Sequence, residues 1–217
     1  MTKHVIIYAR KPEAHKSKTR LGASIGYQQA AGVYARLLFS YLEDLLRSEV
    51  LKSVFFTLSV ADPESEAFFA AAYPELRVVR QVEAGLGERM QNSFEDVYAL
   101  GAEAAVLTGS DIPFLGASQV AETFRILENN DLVLGPAEDG GYFLVGMRRP
   151  GWNVFEGIPW STKDVLAKTM EKTDSLGLNC EYLPLAFDLD VEADYHRWIE
   201  IISNGGKGDR DGKCRKY

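Results

Sequence analysis

The stretch from Ala104 to Met147 does most to limit what this chain can fold into. It opens on Ala104–Leu107, a short apolar run of the kind needed by a strand buried on both faces of a sheet. Thr108-Gly109-Ser110-Asp111 follows, and Pro113 stops further sheet pairing. Ala117–Leu127 reads as a helix with Val120, Phe124 and Leu127 on one face. Leu132–Leu134 repeats the apolar pattern and delivers Glu138 and Asp139 to a loop, after which Gly140-Gly141 permits a sharp turn into a further strand, Tyr142–Val145. In an open α/β sheet, ligands sit beyond the carboxyl ends of the strands, which puts Asp111 at a site rather than in the core. Two explanations of Asp111 stay open. It can cap a helix or begin a turn, or it can hold a hard divalent cation such as Mg²⁺ or Mn²⁺, which often binds through one or two carboxylates plus substrate phosphates.

The second explanation needs a group that holds phosphate. His4–Ala9 predicts the first strand, Arg10–Leu21 the loop after it, and apolar positions from Val33 to Leu46 a long amphipathic helix starting near Gln28. Residues 1–20 hold Lys3, Arg10, Lys11, Lys16, Lys18 and Arg20 against one acid, Glu13. The whole chain carries −7, so this basic loop is a local anion site on an acidic protein, and non-specific nucleic-acid binding is disfavoured. Lys18 and Arg20 supply charge, Arg20 in a form that can grip two oxygens, and a following helix adds its dipole. A merely solvated basic loop is the plainer alternative.

Leu51–Ser59 predicts a second strand, Pro63–Ala72 a helix and Leu76–Gln81 a third strand. Gly85-Leu86-Gly87-Glu88-Arg89-Met90 stops one glycine short of a dinucleotide fingerprint and follows the wrong strand, so a nicotinamide or flavin Rossmann site is not expected. Gly85 and Gly87 would still let backbone approach a flat base, with Gln81 offering a donor and an acceptor. A helix from about Glu88 to Leu100 comes next. Pro150, Gly151 and Gly157 mark an irregular stretch, in which Pro159-Trp160 reads as a packing clamp in preference to a sugar platform. Ser161 or Thr162 would cap a helix from about Lys163 to Leu176. Cys180–Ala186 predicts a last strand before Asp188-Leu189-Asp190 and a final helix to about Ile202. Asp190 can cap that helix, or Asp188 and Asp190, on one side of an extended segment, can supply a second carboxylate. Residues 1–203 therefore predict one domain, and 204–217 a disordered basic tail.

Length and composition, 46% hydrophobic and 25% charged, are ordinary for a globular chain. With no signal-peptide pattern, no apolar run long enough to span a bilayer and only Cys180 and Cys214, a cytoplasmic protein with reduced thiols is expected.

Four stretches taken in order, Lys16–Leu21, Gly87–Met90, Gly109–Pro113 and Gly135–Tyr142, completed by Ile158–Thr162 and Asp188–Asp190, resemble the bacterial GT-A-like transferases described as radical-SAM/selenodomain-associated glycosyltransferases. These belong to the nucleotide-diphospho-sugar transferase superfamily and are related to the molybdenum-cofactor and phospholactate nucleotidyltransferases. The resemblance covers about residues 3–200. It implies a Rossmann-like α/β fold of three layers, α/β/α, around a mixed, mainly parallel sheet. It implies a nucleotide site of Arg10, Lys18, Arg20, Gln81, Gly85 and Gly87, a Mg²⁺ or Mn²⁺ ion at Asp111 and Asp190, and an acceptor side of Trp160, Ser161, Thr162 and Asp188. Asp111 and Asp139 are the catalytic candidates, Asp139 by orienting or deprotonating an acceptor hydroxyl. Asp111 lies in Ser-Asp-Ile, where many sugar transferases have Asp-x-Asp.

The expected partners are a nucleotide-activated small-molecule donor and an unspecified acceptor, with a homodimer as an option. Either a glycosyl group moves and a nucleoside diphosphate leaves, or a nucleotidyl group moves and pyrophosphate leaves. A non-catalytic nucleotide-binding module is the remaining alternative. An aspartate phosphatase, superficially suggested by Asp188-Leu189-Asp190, would want its nucleophile after the first strand, where this chain has a basic loop.

Overall fold

Side-chain alternation along the first strand, β1 (Lys3–Ala9), decides which helices cover which face of the sheet. In the computed structural model, which describes residues 1–148 and 152–204, Val5, Ile7 and Ala9 pack on one side and Ile6 on the other. The elements then run α1 (Thr19–Ile25), α2 (Tyr27–Arg47), β2 (Val54–Val60), α3 (Pro63–Ala72), β3 (Arg77–Arg80), α4 (Leu86–Ala99), β4 (Ala104–Thr108) and α5 (Ala117–Ile126). The second half has β5 (Leu132–Pro136), β6 (Tyr142–Met147), α6 (Val165–Ser175), β7 (Cys180–Tyr182) and α7 (Glu192–Ser203). Tyr34, Leu38 and Leu42 of α2, Phe69 of α3 and Val120 and Phe124 of α5 close the face of Val5 and Ile7. Met90, Phe94 and Val97 of α4, with Phe155, close the face of Ile6. The result is the three-layer arrangement the sequence predicts.

The strands form one sheet in the order β3-β2-β1-β4-β6-β5-β7. Only β6 runs antiparallel to its neighbours, β4 and β5, so the sheet is mixed and mainly parallel. Every residue of β4 and of β5 is buried, as strands covered by helices on both faces must be. Chain order departs from spatial order between β1 and β4, where β1 has β2 on its other side. That switch point is where an open α/β sheet leaves a crevice for a ligand.

Several boundaries differ from expectation, each for a local reason. The loop after β1 ends early, because Thr19–Ile25 forms the short helix α1 before Gly26 (φ 95) redirects the chain into α2. The second strand starts at Val54, because Glu49–Leu51 winds into a 3-10 turn that buries Leu51. The last strand ends at Tyr182, two residues before Pro184, and the chain rejoins the sheet only through a bridge from Ala186 to Ala137. The α6 helix begins at Val165 without a side-chain cap. Thr162 instead donates to the Pro159 carbonyl (2.8 Å) and accepts from the Asp164 amide (3.3 Å), so it closes a turn and neither it nor Ser161 caps the helix. Among the described residues no helix is long and apolar enough to cross a membrane. The basic tail, from residue 205 on, and Pro150 and Gly151 lie outside the described residues.

One polar group is sealed into the apolar face beneath α4. His4 is 5% exposed, and its Nε2 lies 2.8 Å from Thr57 Oγ1. Burial, helped by the nearby Arg77 guanidinium, pushes its pKa down from 6.5 to about 4. Between those values the unfolded chain binds a proton that the folded one refuses, so stability is fully present above pH 6.5 and falls toward pH 4. Between pH 7 and 5 the parent is expected to lose stability relative to His4→Gln, read as the growing difference between their urea midpoints. A difference that stays constant over that range would remove His4 as the cause.

Candidate functional site

The site starts from the strain at one lysine. The turn after β1 is tied by Ser17, whose amide donates to the Glu13 carbonyl (3.0 Å) and whose hydroxyl accepts from the Glu13 amide (3.1 Å). Lys18 then takes a left-handed conformation (φ 49, ψ 50) at the start of α1, a region that non-glycine residues rarely occupy. The twist turns its side chain inward, where only 5% of it stays exposed. Its Nζ lies 2.7 Å from Asp111 Oδ2 and 3.3 Å from Asp190 Oδ1. Burial works against the ammonium, but the two carboxylates outweigh it and hold the pKa above the ordinary lysine value. Arg20, 79% exposed, reaches Asp190 Oδ2 at 3.0 Å.

Neither aspartate spends its side chain on a helix end. The start of α7 is capped by Asp194, whose carboxylate accepts from the amides of Asp190 (3.0 Å) and Val191 (2.9 Å). At the start of α5 the Ala117 amide donates to Asp44 (2.6 Å). Both capping explanations therefore give way to ion pairing with Lys18. Two hydroxyls absent from the sequence-based set brace the same mouth. Ser110 donates to the Tyr8 carbonyl (2.8 Å) and pairs with Tyr34 (3.0 Å), and the Tyr34 oxygen accepts from the Arg10 amide (3.0 Å). Tyr34 lies on the buried face of α2 and reads from the sequence as core, so nothing in the pattern marks its hydroxyl as useful.

Together these groups line a cavity of about 520 Å³ at the β1–β4 switch point, bordered by Arg10, Lys18, Arg20, Gln81, Asp111 and Asp190. That volume lies within the range of small-molecule sites. Gln81 reaches it with its amide already engaged: Nε2 donates to the Ser59 carbonyl (3.1 Å) and Oε1 accepts from Arg89 (3.1 Å).

The other candidates stand apart from the cavity wall. Gly85 precedes α4, with its amide donating to Glu88 (3.1 Å). Gly87 faces the Trp160 indole, and a Cβ there would lie 2.7 Å from Trp160 Nε1 and 2.8 Å from the Phe155 carbonyl oxygen. Its lack of a side chain serves packing against Trp160, which also meets Tyr142 edge-on (6.2 Å between centroids). Ser161 adopts φ 64 in the same turn as Thr162. Asp139 Oδ1 accepts from the Gly141 amide (2.8 Å), a turn contact that leaves Oδ2 available. Asp188 is pushed up to about 7 by burial, with the negative fields of Asp111 and Asp139 adding and Lys18 opposing. Four aspartates thus share one electrostatic neighbourhood, and Lys18 is the cation inside it.

A metal fits this arrangement in one way. Among the described residues no group of three or more potential ligands is gathered into a cage. Two carboxylates facing one ammonium do suit a hard ion that takes its remaining ligands from phosphate and water. The Lys18 ammonium marks where such a charge is welcome.

The Gly87 contact has a checkable consequence. Gly87→Ala is expected to cost about 1–3 kcal/mol by overpacking against Trp160 and the Phe155 backbone, and a Trp160→Phe background, which removes the indole nitrogen, should recover part of it. Chemical denaturation of the two variants and their double mutant measures the coupling. Purely additive losses would refute it.

The same architecture recurs in known proteins. The family model described as "Uncharacterized protein conserved in bacteria (DUF2064)" matches residues 45–162. A search of curated proteins gave no match. Among solved structures, the chain is similar to a candidate nucleotide-diphospho-sugar transferase from Desulfovibrio desulfuricans G20. The identity is 30%, the likeness covers 97% of this chain and 90% of that one, and the TM-score is 0.85. It shares the fold of 4-diphosphocytidyl-2C-methyl-D-erythritol synthase from Anaerococcus prevotii DSM 20548 (12% identity, 93% and 98% covered, TM-score 0.58). It also shares that of the mannosyltransferase PcManGT from Pyrobaculum calidifontis, solved with GDP-Man and Mn²⁺ (14% identity, 90% and 59% covered, TM-score 0.55). With its central half matched by the family model and nearly its whole length by the Desulfovibrio protein, the chain belongs to the bacterial DUF2064 family, built on the nucleotide-diphospho-sugar transferase fold.

Proposed function

We propose that this protein is a transferase working on a nucleotide-activated donor, most specifically a nucleotide-diphospho-sugar. The observation that carries this reading is Lys18, buried between Asp111 and Asp190 at the mouth of the sheet with Arg10 and Arg20 beside it. A diphosphate needs cations where its bond to the transferred group breaks, and this mouth concentrates them. The Desulfovibrio relative supports the donor class.

In this reading Lys18 turns from the carboxylates to the phosphates, and the exposed Arg20 clamps oxygens in pairs. Arg10, which reaches the Lys16 carbonyl at 3.2 Å, fixes the loop as well as facing the donor. Asp111 and Asp190 would hold a divalent cation, which when bound neutralises charge on the phosphoryl oxygens. The Mn²⁺ in the PcManGT complex supports that choice of ion. On the acceptor side burial and the neighbouring carboxylates raise the Asp188 pKa, which suits it to accept a hydrogen bond or proton from an acceptor hydroxyl. Asp139, tied by one oxygen to its own turn, keeps the other to orient or deprotonate the acceptor hydroxyl.

Nucleotidyl transfer is the second reading, supported by the fold shared with the 4-diphosphocytidyl-2C-methyl-D-erythritol synthase. The leaving group separates the two: a nucleoside diphosphate in the first case, pyrophosphate in the second.

The test is a panel of nucleoside triphosphates and nucleotide sugars, each with and without Mn²⁺, read by melting temperature and then by product analysis. A true donor is expected to raise the melting temperature by mass action. Lys18→Met is expected to weaken that donor at least about tenfold, about 1.4 kcal/mol, while keeping the circular dichroism of the parent. If no nucleotide shifts the melting temperature, both readings fail. Stabilisation without product across a broad acceptor set would leave a binding module.

A further inference from the structure

Behind the wall of the main cavity lies a second, smaller one that the proposed transfer does not use. It has a volume of about 160 Å³, below the usual size for a cofactor or nucleotide. It runs between β3 and α4, and its chemistry is lopsided. The Ser59 hydroxyl lines it, only 1% of that residue is exposed, and the hydroxyl has no hydrogen-bond partner. The buried Arg89 Nε has none either. Arg80, on the rim, is paired with no carboxylate among the described residues. Arg77 is already satisfied by a two-pronged contact with Asp96 (2.6 and 3.0 Å), the one carboxylate present. Asn92 and Ser93 complete the lining.

A buried donor without an acceptor costs about 1–3 kcal/mol. Here two such donors belong to residues lining one small space, with the exposed Arg80 guanidinium at its rim, and one oxyanion would supply acceptors to all three. Guanidinium groups favour tetrahedral or planar oxyanions, which accept several N–H bonds at once. The cavity also touches the donor cavity through two hydrogen bonds. Gln81 and Tyr8 line the large cavity, and their side chains are bonded to Arg89 (3.1 Å) and Ser93 (3.0 Å), which line the small one.

We propose that the Ser59–Arg80–Arg89 cavity is a binding site for a phosphate-type oxyanion, separate from the nucleotide site and coupled to it through Gln81. An anion drawing on Arg89 competes with Gln81 for the same guanidinium, and so changes which way the Gln81 amide faces in the donor cavity. The anion comes either as free phosphate or as the phosphoryl group of a larger molecule. The site stands whatever donor the protein uses.

The experiment titrates the full chain with inorganic phosphate at constant ionic strength, chloride being the exchanged ion. Because the donor mouth also attracts phosphate, it is run in the Lys18→Met/Arg20→Gln background as well as in the parent. A saturable rise in melting temperature is expected in both, and Arg80→Gln/Arg89→Gln added to that background should weaken it at least tenfold. Ser59→Ala guards against misfolding of the arginine variants. It should be neutral or stabilising without phosphate, since it removes an orphan hydroxyl, yet shift the phosphate midpoint upward. In parallel, the Arg89 Nε–H proton resonance, assigned by its loss in Arg89→Gln, should move with the same midpoint. Glycerol 3-phosphate distinguishes the sources: equal protection points to a phosphoryl ester, protection by inorganic phosphate alone to the free ion. No saturable shift in the Lys18/Arg20 background, or a shift that survives loss of both arginines, overturns the proposal and leaves the donors to water. A shift present in the parent and lost with Lys18 and Arg20 would speak only for the donor mouth.

Discussion

A buried ammonium held by two carboxylates is the interaction on which the site depends. Taking one charge out of water costs several kcal/mol, and only close opposite charges with good geometry offset it. Lys18 has both, with Asp111 and Asp190 on either side. Remove the lysine and Asp111 loses its ion pair while Asp190 keeps only the exposed Arg20, with the negative field that already raises the pKa of Asp188 left unopposed. Remove either carboxylate and a largely buried cation loses half its compensation. Lys18 and Arg20 thus balance the charge of Asp111 and Asp190 at the mouth. Under the proposed function a diphosphate would offer Lys18 new anionic partners and free the two carboxylates for a cation.

Residues 18, 111 and 190 lie far apart in the chain, and the sheet is what joins them. The loop after β1 and the loop after β4 leave adjacent parallel strands in the same direction. Their first residues emerge side by side, and Ser110 and Tyr34 stitch the gap between them. The segment after β7 returns to that edge because Ala186 bridges Ala137, and Asp194 holds the start of α7 so that Asp190 points back toward Lys18. Each contact is modest alone. Their effect is to give three flexible side chains one geometry before any ligand arrives.

How much of this was legible in the chain depended on how local its cause was. Pro63 after Asp62 opens α3, and the apolar spacing of α2 gives a helix, because a few neighbouring residues decide each of these. Apolar runs at β4 and β5 sufficed to place those strands. The α1 helix escaped notice because it lasts only seven residues inside a polar loop and starts at a left-handed lysine that no pattern announces. Within the candidate site, charge clustering pointed to Lys18 and Arg20, and strand-end position pointed to Asp111. The resemblance sets Gly87 and Trp160 on opposite sides of the site, base and acceptor, while in the fold they pack on each other, in keeping with the packing-clamp reading of Trp160. Glycine tolerates close approach by any neighbour, and only the tertiary structure says which one arrives.

The reversed strand β6 has a consequence of its own. Because it returns between β4 and β5, the tight bend carrying Glu138 and Asp139 opens at the same rim as the parallel strand ends. Glu138 is latched there to Arg197 of α7 at 2.8 Å. The bend is tied down on two further sides, by the Glu138 amide donating to the Ala186 carbonyl (3.0 Å) and by the Leu166 amide donating to the Gly140 carbonyl (2.8 Å). A change in the length of this hairpin would therefore travel through Ala186 to the segment that presents Asp190, so the reversed strand couples the two sides of the rim.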